Sequence, residues 1–178
     1  MIEELQKYDK DITRATFLTK VDHIFIMLLS AIMENDLSSV KHYLSEDVYN
    51  YFNELVESYK RDKVIRLFDE MNVKYTDIVD YNVTDDELNI IVNLTSRYMD
   101  YFIDEDGNFA SGINDHRIEL EHKITFTKKL KAKDLGELRR CPSCGHSLDI
   151  NASGLCPYCG QTIDMSEYDY IITKIDNI

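Results

Sequence analysis

Every cysteine in the chain lies in one of two near-identical pentapeptides, Cys141-Pro142-Ser143-Cys144-Gly145 and Cys156-Pro157-Tyr158-Cys159-Gly160. A Cys-x-x-Cys turn aims two thiolates at one ion, and the glycine after it lets backbone N–H groups turn toward the sulfurs. Two such knuckles supply four soft ligands, the set of a closed structural zinc site. The separation is short, with residues 145–155 between the knuckles, which suits a compact zinc ribbon. Two other chemistries use the same residues: a pair of disulfides, or a redox dithiol. Disulfides belong to an oxidising compartment, and no signal peptide precedes the chain. A redox motif needs no duplicate. The expectation is therefore one structural zinc on Cys141, Cys144, Cys156 and Cys159, in a cytoplasmic protein.

A second candidate lies further upstream. In the two-residue alternation of a strand, Leu94, Ser96, Tyr98 and Asp100 share a face, and His122 lies between Leu120 and Ile124 on another apolar face. A carboxylate, a phenol and an imidazole inside an apolar pocket can transfer protons, because burial raises a carboxylate pKa toward neutrality. The same residues also make a satisfied polar cluster in a core, or a bulge that turns Asp100 outward. We expect Asp100 and His122 to be structural and the chain not to be an enzyme. Lys128, Lys129, Lys131 and Lys133, with Lys123, Arg139 and Arg140, form the basic stretch. It can meet an anionic membrane surface or an acidic partner. Lysines also sit on solvated strand edges, where they discourage aggregation, and that is the expectation here. His146 follows the first knuckle, where it can support a thiolate. His23 and His42 fall at core edges. The acidic run Asp104-Glu105-Asp106-Gly107-Asn108 lacks the spaced ligands and closing glutamate of a calcium loop and reads as a hairpin turn.

These groups must be positioned by a chain of 178 residues with 44% hydrophobic residues and a formal net charge of −13. That length supports one medium domain with a real core and a small appendage. The acidic balance argues against nucleic acid as the main partner, because phosphate binding needs clustered Lys and Arg. The most apolar run, residues 24–33, is about half the length of a membrane span and predicts a buried core helix.

Apolar residues at helical spacing predict a helix over 16–34, capped by Thr13 or Thr16, a short helix over 37–44, and a third helix capped by Ser45. Residues 1–12 are polar and acidic and predict a loosely held arm. From about Val73 the period changes. Leu88, Ile90, Val92 and Leu94 alternate with Asn89 and Asn93, and Ile118, Leu120, Ile124 and Phe126 alternate with Arg117, Glu119, Glu121 and Lys123. One apolar and one polar face describe antiparallel strands covered on one side. Residues 130–140 read as a hinge. The strand-like tail 168–175 either completes the ribbon or adds to the main sheet.

Phe17, Ile24-Phe25, Ala31, Asp36-Leu37 and residues 43–49 follow the helical opening of a known domain, and Met99-Asp100-Tyr101-Phe102-Ile103-Asp104 with Gly107 and Gly112 follows its central strands. On these residues the chain resembles the Tim44-like domain family, named for a mitochondrial import-motor subunit. Residues 141–175 resemble the zinc ribbon of bacterial members, with two CPxCG knuckles, an Asn151-Ala152-Ser153-Gly154 turn and an acidic-aromatic strand at Tyr168-Asp169-Tyr170. The resemblance implies an α+β cone: helices packed on a curved antiparallel sheet, of the cystatin-like or nuclear-transport-factor-two-like kind. It places that domain at 1–135 and the ribbon at 136–178. It also implies a non-enzymatic binding or scaffold module associated with protein transport or membrane-related assemblies, with a protein or apolar ligand as partner and peripheral membrane contact open. The alternatives are a small-molecule enzyme of the cone fold built on Asp100 and His122, and a nucleic-acid-associated zinc ribbon protein. Cone folds pair through their outer sheet face, which here carries Arg117, Glu119, Glu121 and Lys123, so the sequence leaves the oligomeric state open.

Overall fold

Helix α2 (Arg14–Met33) begins where Thr13, in extended backbone, accepts a hydrogen bond from the Thr16 N–H at 3.2 Å. That cap satisfies one of the donors a helix start leaves open. Phe17, Val21, Ile24, Phe25, Leu28, Leu29, Ala31 and Ile32 are all buried along it. By length and composition alone this 20-residue helix, with a mean hydropathy of 1.5 over its most apolar 18 residues, is long and apolar enough to cross a membrane. Here its apolar side faces the sheet: Phe17 meets Phe126 edge-on, and Phe25 packs against His122. Helix α3 (Glu46–Asp62) starts at Ser45, which accepts from the Val48 N–H, with Glu46 and Asp47 in the first turn and Lys60 and Arg61 in the last. Both charge placements favour the helix dipole. Lys63 then takes a left-handed conformation, φ 55°, and turns the chain into the first strand.

The structure, a computed structural model, describes residues 1–133, 140–148 and 155–178. Most of the expected hinge and the turn at 151–154 lie outside them. Strands β1 (Val64–Val83), β2 (Glu87–Asp104), β3 (Phe109–Lys129) and β4 (Ile171–Ile175) form one antiparallel sheet in the order β1-β2-β3-β4. The sheet is open and curved, with the helices on its inner face. Leu88, Ile90, Val92, Leu94, Ser96 and Tyr98 point inward and are buried, as are His122, Ile124 and Phe126 on β3. Three register shifts in β1, at Asp69/Asn72, Val73/Tyr75 and Ile78/Asp80, bend it around the helices.

Four expectations need correction or completion. The arm at 1–12 is docked: Ile2–Leu5 forms a short helix, α1, Leu5 and Ile12 are buried, and Asp9 bonds Lys128 and Tyr170. The short helix over 37–44 shrinks to a 3-10 turn at Lys41–Tyr43. There the Asp36 carboxylate accepts from the Ser38 N–H at 2.9 Å, a local bond that competes with helix formation. β1 begins at Val64, nine residues before the expected change of period. Lastly, the tail adds to the main sheet: β4 pairs with β3, Ile172 is fully buried, and its carbonyl accepts from the Ser45 N–H at 2.9 Å.

Candidate metal centre and polar core

Each knuckle folds by the same local bonds. The N–H of Gly145 donates to the Cys141 carbonyl and that of Gly160 to the Cys156 carbonyl, both at 2.9 Å. The N–H of Cys141 donates to His146 and that of Cys156 to Gln161, at 2.8 and 2.9 Å. Gly145 and Gly160 sit at φ +74° and +70°, in the left-handed region where glycine carries no Cβ penalty. The two turns bring all four sulfurs within 4.8 Å of one another. Cys141 and Cys159 are 3.8 Å apart, and Cys144 and Cys156 3.6 Å. A tetrahedron of Zn–S bonds near 2.3 Å has edges of about 3.8 Å, so the four thiols fit one zinc ion. Backbone N–H groups, chiefly that of Cys144, hold the Cys141 thiol down to about 7. The His146 ring stacks on Tyr158 at 4.2 Å.

The segment after the second knuckle fastens this cluster to the sheet. Ile163, Met165 and Ile171 make a small core of their own with Leu148 and Tyr168. Glu167 pairs with both Lys129 and Lys133, and its carbonyl accepts from the Lys133 N–H at 2.8 Å. Lys128 reaches Asp9 at 2.9 Å and lies over the Tyr170 ring, while Tyr170 donates to the same carboxylate at 2.8 Å. Lysines 128, 129 and 133 are therefore internal clips; among the described residues Lys131 makes no ion pair.

Asp100 faces the helices, as its place in the alternation predicts. Both its oxygens are engaged by Arg66, Nε at 2.9 Å and Nη2 at 2.8 Å. Arg66 Nη1 also donates to the Tyr59 hydroxyl on α3 at 3.3 Å, and the guanidinium lies 4.7 Å over the Phe68 ring. His122 shares a 2.7 Å hydrogen bond between its Nε2 and Ser96 Oγ, and burial pushes its pKa down. Tyr98 is fully buried edge-on to Phe68, and burial pushes its pKa up to about 12. Asp100 and His122 do not converge, and Tyr98 stands between them on β2 with its hydroxyl buried and unpartnered. His122 sits opposite Leu94 in the register, six residues along β2 from Asp100, which is about 20 Å of strand. Arg66 was missed as the partner of Asp100; its only sequence signal is an arginine inside the apolar run 64–68.

The fold and the site thus define an α+β domain with helices on an open curved antiparallel sheet, followed by a four-cysteine cluster. The family model of the Tim44-like domain matches residues 1–136, and the chain belongs to that family. Membership suggests a membrane- or transport-associated module that works as a scaffold without catalysis. No curated protein matches the chain.

Proposed function

We propose that this protein is a non-enzymatic binding module of a transport- or membrane-related assembly, its C-terminal end held by one structural zinc on Cys141, Cys144, Cys156 and Cys159. One observation carries the first part. Inside the cone both oxygens of Asp100 are taken by Arg66 and His122 Nε2 by Ser96, the Tyr98 hydroxyl and His122 Nδ1 are buried without a partner, and the carboxylate and the imidazole lie six residues apart along β2, too far to act on one bond. What remains for recognition is surface, and the partner is a protein. The fit of four sulfurs to one tetrahedral ion supports the zinc. Thiols kept as ligands suit a reducing compartment, which supports a cytoplasmic location. The family match ends at 136, which supports reading 136–178 as an appended ribbon that lends its last strand to the main sheet.

Native mass spectrometry of gently purified protein is expected to show one zinc per chain, and cross-linking in cell extract a protein partner. Absence of zinc would overturn the metal assignment. A turnover abolished by Asp100→Asn or His122→Gln, with the fold intact, would overturn the non-enzymatic reading. Flotation with anionic but not neutral vesicles would move the partner to the membrane.

A further inference from the structure

The far end of the sheet carries an apolar surface that neither core uses. Arg66, Phe68, Asp100 and Phe102 turn inward there, toward α3. The alternation of a strand then puts Ile65, Leu67, Met99, Tyr101 and Ile103 on the outer face. The register lines them up: Leu67 beside Tyr101 beside Gly112, and Ile65 beside Ile103 beside Phe109. Phe109 is 51% exposed, the other five residues are partly exposed, and none of the six belongs to either hydrophobic cluster. Further along the same face β2 and β3 become polar, with Asn93, Thr95, Arg97, Glu119 and Glu121.

The rim of this patch is acidic. Asp69 stands beside Tyr101 and accepts from its hydroxyl at 3.3 Å. Asp106 lies at the tip of the β2–β3 turn, and Asp115 in the stretch of β3 that bulges between Ile113 and Ile118. Among the described residues no lysine or arginine pairs with these three carboxylates, and Asp115 shares a 2.7 Å hydrogen bond with Nδ1 of its neighbour His116. Lys63 and Arg117 each pair with another acid, Glu105 and Glu70. The rim therefore keeps a surplus of negative charge on a chain whose formal net charge is −13.

Resting on the binding-module reading, we propose that this outer face docks a cationic segment of another protein, with a large apolar side chain seated on Tyr101 and Phe109 and lysines or arginines against Asp69, Asp106 and Asp115. Charge decides between the possible occupants. A second copy would set the same acidic rim against itself. An anionic lipid surface would meet the rim with like charge. A basic segment gains at both the centre and the rim, with an apolar core and a polar edge of matching sign.

The test uses the full chain with two fluorescent 12-residue peptides of equal apolar content, one carrying lysines and arginines and the other glutamates in their places. Fluorescence polarisation is expected to show binding of the cationic peptide alone. Phe109→Ser leaves the net charge unchanged and is expected to weaken that binding about tenfold. Asp106→Lys with Asp115→Lys is expected to weaken it further and to flatten its salt dependence. Far-UV circular dichroism and thermal melting check that each variant folds. Amide shifts on peptide addition are expected to cluster at 65–69, 99–103 and 109–115. Equal affinity for wild type and Phe109→Ser, or shifts that cluster elsewhere, would overturn the proposal. So would a concentration-dependent dimer, or vesicle flotation, that Phe109→Ser abolishes. A cross-linked protein partner that Phe109→Ser retains would overturn this surface and leave the module reading standing; no partner even for wild type would sink both.

Discussion

The Arg66–Asp100 pair gives the sharpest test of whether the polar core holds the fold or performs chemistry. The side chains are 13% and 19% exposed, and two charge-assisted hydrogen bonds join them. Removing one partner of a fully buried pair costs about 3–5 kcal/mol, because the other charge is left without compensation. A small share of each group still meets water here, which brings the expected loss to about 2–4 kcal/mol. For a chain of this size each kcal/mol lowers Tm by roughly 2–4 °C, so Asp100→Asn and Arg66→Met should each lower it by about 5–15 °C. Asparagine keeps the shape of Asp100. Methionine keeps an apolar stem over Phe68 and Phe102. The double variant Arg66→Met/Asp100→Asn leaves no charge unpaired and should lose less than the sum of the two single changes, with a coupling of about 1–3 kcal/mol. Urea denaturation of all four proteins gives the cycle directly. Additive losses, or an Asp100→Asn protein as stable as wild type, would refute the argument and return Asp100 to the list of candidate catalytic groups.

Three other outcomes are expected. His42 is buried with its Nδ1 unpartnered, and burial pushes its pKa from 6.5 to about 4. Above pH 6.5 both states are neutral and the residue adds no pH dependence; as pH falls toward 4 the unfolded chain takes up a proton that the folded chain refuses. Stability should decline over that window by about 2 kcal/mol, after allowance for water at the ring edge, and His42→Phe should remove this part of the slope in urea titrations; equal slopes would sink the idea. Gly112 has φ +102°, and a Cβ there would lie 2.5 Å from the Asp100 carbonyl oxygen, so Gly112→Ala should cost at least about 3 kcal/mol by thermal melting, and an unchanged Tm would count against this register. Stripping the proposed zinc with a chelator, or Cys144→Ser, should speed hydrogen exchange at Ile171–Ile175 well before β2 opens. Exchange at β4 that ignores the metal would show that ribbon and sheet are uncoupled.

Legibility followed the distance over which a signal acts. Ser45 and Thr13 could be read as caps because a cap acts within three residues. β2 could be read as a strand because Leu88, Ile90, Val92 and Leu94 alternate without interruption. β1 has three register shifts in 20 residues, and each one resets the two-residue period on which its detection depends. The four-cysteine cluster was visible because its sulfurs are fixed by spacing within each knuckle. The partner of Asp100 was not, because Arg66 meets it only through the β1–β2 register. The N-terminal arm was misread for the same reason: Asp9 looks like one more surface acid until Lys128 and Tyr170, far along the chain, arrive beside it.

That last contact bears on what the ribbon does for the domain. The family match stops at residue 136, yet the sheet is completed by β4, whose Ile172 is fully buried against the segment that opens α3. Between the second knuckle and β4 the chain is held by Glu167 on Lys129 and Lys133, by Asp169 on Lys20, and by Tyr170 on Asp9. Each bond ties the ribbon's exit to a different part of the domain: the end of β3, α2 and the N-terminal arm. Most of these ion pairs are partly exposed and individually worth little. Burial of Ile172 and Tyr170 is worth more, on the order of 2–3 kcal/mol for each side chain. The proposed zinc, held by the four cysteines, would fix the residues before β4 and limit the freedom of that strand to leave, so its removal should reach the core first through Ile172 and through Phe126, its neighbour on β3.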